Sequence, residues 1–179
     1  MDASARDSAL AKLNAELLSA ARSVPRVELA KRLRYVGLLG LQKVVLRTPV
    51  LTGFTRAQWQ TTDSSPATST IEATDPGGAD TISRESNVIE RIAAEVASGA
   101  KPPPLMLISN PAPNALVLEE GGYPKNPKRG TYMRARKTRG GRTIGAHYEI
   151  RSAGGFSKQA PRGMVAITLE ELRTTARPK

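Results

Sequence analysis

Hydrophobic positions in the first third of the chain recur with a helical period. From Val27 to Arg47, Ala30, Leu33, Gly37, Leu38, Leu41, Val44 and Val45 fall on one face while Lys31, Arg32, Arg34 and Lys43 lie largely elsewhere, which predicts one long amphipathic helix. Thr48-Pro49 ends it, because the proline ring disfavours helical geometry in the residue before it. Upstream of Pro25, a shorter pattern of Leu10, Leu13, Leu17 and Ala21 predicts a helix from Ser8 to Ser23, with Asp7 or Ser8 as its cap. Roughly four turns are marginal alone. Residues 1–24 therefore read as a helical arm that needs a surface, such as a neighbouring chain, to pack on.

After a bend at Gly53 the period changes. Phe54, Arg56, Gln58 and Gln60 alternate with Thr55, Ala57, Trp59 and Thr61 as they would in a strand. Thr, Ser, Pro and Gly dominate the next stretch, and Asp75-Pro76-Gly77-Gly78 marks a turn. A third helix is expected from about Thr81 to Ser98, capped by Asp80 or Thr81, burying Ile82, Ile89, Ile92, Ala93 and Val96, and stopped by Gly99. Its length suits packing across a sheet. Lys101-Pro102-Pro103-Pro104 is a stiff connector into a short strand from Leu105 to Ser109. Ala115 to Glu120 fits a short helix, with Asn114 as its cap, as well as a strand. Pro161 to Arg173 reads as a helical or strand-to-helix segment burying Met164, Ile167, Leu169 and Leu172.

The stretch between Tyr123 and Lys158 has few large aliphatic residues and carries ten Lys or Arg against one acid, Glu149. Its net +9, out of +11 for the whole chain, leaves the remainder almost neutral. Alternation in Thr143 to Arg151 predicts the returning arm of a hairpin whose outgoing arm is Thr131 to Lys137. Lys125, Lys128, Arg129, Arg134, Arg136, Lys137, Arg139, Arg142 and Arg151 are the candidate contacts to an interface or a polyanion. Tyr123, Tyr132, Tyr148 and Phe156 interleave with them.

Composition narrows the chemistry. With 39% hydrophobic and 4% aromatic residues, the core is expected to be small and the arms extended. The absence of cysteine excludes disulfides, thiol nucleophiles and cysteine zinc sites. No apolar run approaches the roughly 18 residues that span a bilayer, and the N-terminus lacks a signal-peptide pattern, so a soluble protein with no membrane partner is expected. His147 is the only histidine, and the glycine clusters have neither P-loop nor dinucleotide spacing. Glu119 and Glu120, read as strand neighbours, would face opposite ways, one into solvent and one towards a basic residue. Trp59 reads as core rather than as a base-stacking platform. No catalytic, cofactor-binding or metal-binding set emerges, and no enzyme is expected.

Three pieces, in order, carry a resemblance. A long helix leads into Thr48-Pro49, Thr52-Gly53, Arg56 and Trp59; next comes Ala115-Leu116-Val117-Leu118-Glu119-Glu120-Gly121; then Gln159-Ala160-Pro161-Arg162-Gly163-Met164-Val165. The set resembles the neck and tail-completion proteins of long-tailed bacteriophages, small virion components of the head–tail junction. The resemblance implies structural roles for Thr48, Pro49, Thr52, Gly53, Arg56, Trp59, Glu119, Gly121 and Pro161. It also implies a homo-oligomeric ring of about six or twelve subunits, assembled in the host cytoplasm and located in the virion. Its partners would be the head connector or stopper protein and the tail terminator or tail tube protein, with sequence-independent contact to DNA in the channel. The alternative is a free, sequence-independent nucleic-acid-binding protein acting through the basic arm. The expected fold is α+β: long N-terminal helices, a small mostly antiparallel β-sheet with a packed helix, an extended basic loop or hairpin at about 123–158 inserted in a single domain of 25–179, and a C-terminal helical segment.

Overall fold

The computed structural model describes residues 25–99, 106–128, 130–138 and 140–175. The expected N-terminal arm and the Lys101–Pro104 connector lie outside these residues. The first described element, α1 (Arg26–Arg47), is the long helix the apolar period predicts. The Pro25 carbonyl accepts the first free amides, those of Glu28 and Leu29. At the other end Thr48 turns extended, returning its amide to Val44 and Val45 and its hydroxyl to Val44. Pro49 then forbids continuation.

The segment after Gly53 corrects the strand expectation. Phe54–Ala57 is a single helical turn, α2, closed by the Ala57 amide on the Gly53 carbonyl. The left-handed Gly53 (φ +90) launches that turn, and the alternation of Phe54 to Thr61 does not survive because Gln58 is pulled inward. Its side-chain amide exchanges two hydrogen bonds with the backbone of Ile71, pinning the Thr/Ser-rich loop. Strand β1 (Gln60–Thr62) begins only there, and it pairs antiparallel with β2 (Leu107–Ser109).

Helix α3 (Ala79–Ser98) starts two residues before the expected Thr81 and ends as expected at a left-handed Gly99. Neither Asp80 nor Thr81 caps it. The carboxylate of Asp75, upstream in the turn, accepts the Gly78 and Thr81 amides and the Thr81 hydroxyl instead. The helix packs along α1, not across a sheet. Strands of two or three residues offer no face to cover, whereas Gly37 lets Met106 and Ile89 approach α1 so closely that an added Cβ would lie 2.4 Å from Met106 Cε. The ion pair of Arg34 with Glu90, at 2.6 Å, ties the two helices at the surface.

Ala115–Glu120 resolves as a helix, α4, though Asn114 makes no cap. Its Oδ1 accepts the Thr55 hydroxyl. The basic segment is a hairpin: β3 (Thr131–Met133) pairs with β6 (His147–Glu149), and β4 (Arg136–Lys137) with β5 (Thr143–Ile144), in one continuous register. A smaller ladder, β7 (Ser152–Ala153) with β8 (Phe156–Ser157), follows at its base. Helix α5 (Val165–Thr175) ends the described chain and lies against α1, where Lys43 and Arg47 both bond Glu171 and Arg47 also bonds Thr168. Leu169, expected inside, is 48% exposed, because Thr168 takes the inward position and returns its hydroxyl to Met164.

The fold is α+β, and among the described residues its strands form four two-stranded antiparallel ladders rather than one sheet. The core is small. Leu41, Val44 and Val45 from α1, Trp59, Ile89 from α3, Leu118 from α4, and Ala160 and Met164 before α5 meet in one cluster.

Candidate interface and the motif residues beneath it

The first motif piece is one hydrogen-bonded corner. Thr48 donates to Val44 and accepts the Trp59 indole N–H at 2.7 Å, so the buried tryptophan finds the partner its ring nitrogen needs. Arg56 reaches across the corner and donates to the carbonyls of Leu46 (3.1 Å), Thr48 (2.7 Å) and Pro76 (2.6 Å). A Cβ on Gly53 would sit 2.4 Å from the Pro76 nitrogen, and the Gly53 carbonyl accepts the amides of both Ala57 and Asp75. Pro49 is half-buried after the helix end, and Thr52 is exposed, accepting the Phe54 amide. Burial alone would push the Asp75 carboxyl up. The amide and hydroxyl of Thr81, the Gly78 amide and the nearby Arg56 charge outweigh it and hold it below its ordinary value. Burial lowers the Arg56 guanidinium, against the opposing pull of Asp75.

The second and third pieces meet each other. The Glu119 carboxylate accepts the amides of Met164 (2.6 Å), Val165 (2.8 Å) and Ala166 (2.9 Å), the free donors at the start of α5. Sequence reasoning placed one of the two glutamates against a basic residue; it pairs with a helix N-terminus instead. Glu120 is exposed, since neighbours on a helix point about 100° apart. Gly163 (φ +79) makes the approach feasible, as a Cβ there would lie 2.7 Å from the Glu119 carbonyl oxygen. Gly121 ends α4 beneath the Phe156 ring, and Pro161 is exposed in the turn between β8 and α5.

Above these corners stands the hairpin. Lys125, Lys128, Arg134, Arg136, Lys137 and Arg142 are all exposed, and among the described residues none of them lies in a salt bridge. Arg129 and Arg139 lie outside the described residues. Arg151 is different: its guanidinium donates to the Val50 carbonyl, tethering the hairpin base to the Thr-Pro corner. Backbone bonds from Gly154 to Lys125 and from Tyr123 to Gly155 close that base. Tyr132 and Tyr148 face each other across the ladder, ring centroids 5.4 Å apart, and remain 53% and 74% exposed. Between the base and the corner runs an open groove of about 540 Å³, lined by Val50, Leu51, Phe54, Tyr123, Pro127 and Arg151 among others.

Sequence reasoning missed Asp75, Gln58 and Glu171. For Asp75 a signal was present, a carboxylate four residues before the start of α3 in a Pro-Gly-Gly turn; Gln58 and Glu171 act on segments distant in sequence. His147 lies on the exposed hairpin with Nδ1 2.9 Å from the Gly145 carbonyl. Among the described residues no group of three or more His, Asp or Glu gathers as metal ligands do, and no helix is long and apolar enough to cross a membrane. No protein-family model, curated protein or solved structure matches the chain.

Proposed function

We propose that this chain is a structural component of the head–tail junction of a long-tailed bacteriophage. It assembles there as a ring that completes the tail or neck, joins it to the head connector and leaves a channel for DNA. One observation carries the reading. The three motif pieces that resemble neck and tail-completion proteins form two bonded corners, Thr48–Arg56–Trp59 and Glu119 on the start of α5, and each piece contributes to one small core through Trp59, Leu118, Ala160 and Met164. Residues spread over more than half the chain are thereby spent on rigidity, and the hairpin they support presents unpaired positive charge. Charge displayed in this way suits an acidic connector or tube surface, or phosphates passing through a channel without sequence readout.

Replacing residues 126–153 by a short Gly-Ser linker tests this, because the amide of Gly154 already bonds the carbonyl of Lys125 and the two ends need not move. The variant is expected to fold and to fail in joining heads to tails, leaving unjoined particles. Normal infectivity with this variant refutes the reading.

A second reading is favoured by the tyrosine pair, which gives two exposed rings amid cations: a free nucleic-acid-binding protein. Salt-sensitive retention of single- and double-stranded DNA by the isolated monomer near physiological salt supports it, whereas ring formation without such binding supports the junction role.

A further inference from the structure

The two faces of the basic hairpin differ in chemistry. Equal numbers of residues separate its two ladders on the two arms, so strand alternation runs unbroken from Thr131 to Lys137. Tyr132, Arg134 and Arg136 therefore share one face with Tyr148, which stands directly opposite Tyr132. That face carries no acid. Met133, Lys137, His147 and Glu149 belong to the other face, and Thr131, also on it, lines the groove against the body of the protein. The tyrosine face is thereby turned outward.

A cross-strand aromatic pair stabilises a ladder whatever else it does. Holding the ladder does not account for rings that are both more than half exposed, nor for a tilt of 58° between them, which leaves each with an open surface instead of stacking one on the other. Arg134 and Arg136 stand beside them, one two-residue step of about 6.6–6.8 Å apart, exposed and in no salt bridge among the described residues. A row of carboxylates would satisfy these cations but has no flat face for the rings, and in a duplex the flat faces of the bases are hidden in the stack. An unpaired strand offers both, phosphates for the guanidiniums and free base faces for the tyrosines. We propose that this outward face binds single-stranded nucleic acid without regard to sequence, its bases stacking on Tyr132 and Tyr148 and its phosphates running along Arg134 and Arg136. The inference rests on the reading of the chain as a nucleic-acid binder, and it names the form of nucleic acid and the face that takes it.

Fluorescence anisotropy of a labelled oligothymidylate and of a duplex of equal length, with the full chain near physiological salt, tests this. The single strand is expected to bind at least about fivefold more tightly than the duplex, the worth of one stacked base. Tyr132→Val with Tyr148→Val keeps the β-branched character that suits the ladder but removes both rings. This pair should abolish the preference while binding the duplex as the parent does, which shows that the hairpin and its charge are intact. Tyr132→Phe with Tyr148→Phe, and His147→Val on the opposite face, should bind the single strand like the parent. Duplex binding with no preference for the single strand overturns the proposal and leaves the nucleic-acid reading standing, whereas binding of neither overturns both. Polyglutamate that competes as well as unlabelled oligothymidylate assigns the face to an acidic protein and overturns the proposal, as does a valine pair that loses nothing or loses both ligands equally.

Discussion

Removing the Glu119 side chain isolates the contact that joins the second and third motif pieces. In Glu119→Ala the amides of Met164, Val165 and Ala166 lose the carboxylate that accepts all three. Loss of a capping acceptor costs about 0.5–2 kcal/mol, and loss of a negative charge at a helix N-terminus about 0.3–1 kcal/mol. The Ala166 bond is exposed and water will replace part of it, so a total of about 2 kcal/mol is expected. For a domain of this size that corresponds to a fall of about 4–8 °C in Tm. Urea and thermal unfolding followed by circular dichroism measure it, with Glu120→Ala as control, expected within about 0.5 kcal/mol of the unaltered chain because Glu120 is exposed. The indole of Trp59, in the same core as Met164, reports whether α5 lifts away before global unfolding. If Glu119→Ala is as stable as the parent, or Glu120→Ala costs as much, the carboxylate is not what fixes α5.

Three further outcomes are expected. Asp75 and Glu171 both titrate below their ordinary values: Asp75 because its hydrogen bonds and Arg56 outweigh burial, Glu171 chiefly through its bonds from Lys43 and Arg47. The stability they contribute is fully present above the unfolded carboxylate values and is lost as pH falls through the lower folded ones. Stability should therefore decline below about pH 4, and Asp75→Asn should flatten that decline while lowering stability at neutral pH. Gly53→Ala, at φ +90 and against Pro76, is expected to cost about 1–3 kcal/mol in the same urea assay. Arg134→Glu, Arg136→Glu and Lys137→Glu together should leave the unfolding midpoint unchanged, because these exposed side chains bond nothing among the described residues, while abolishing retention on a polyanionic resin at moderate salt.

Elements with a strong local signal were legible in the sequence. The long period of α1, the glycine stop of α3 and the alternating arms of the hairpin each rest on residues close together in the chain, and each stands where expected. The failures share a cause. Phe54 to Gln58 alternates like a strand, but a left-handed glycine and the inward draw of Gln58 towards Ile71, thirteen residues on, decide for a helical turn. Leu169 looked like core until Arg47 and Met164 claimed Thr168 for the inner face. Among the described residues the strands find one partner each, so α3 packs on α1 and not on the sheet it was expected to cover. Of the candidate site, the cations and the motif residues could be named from sequence alone. That Glu119 serves α5 could not, because the partners are backbone amides more than forty residues away.

The hairpin's outgoing arm, Thr131 to Lys137, extends for about 20–25 Å at the usual rise of a strand. Electrostatic forces in physiological salt fade over roughly 8 Å, less than half that length, so charges at the two ends of the arm act largely independently of one another. An anionic surface that meets the exposed Arg136, Lys137 and Arg142 is therefore attracted by charge that Glu149, paired with Thr131 at the other end of the arm, does little to offset.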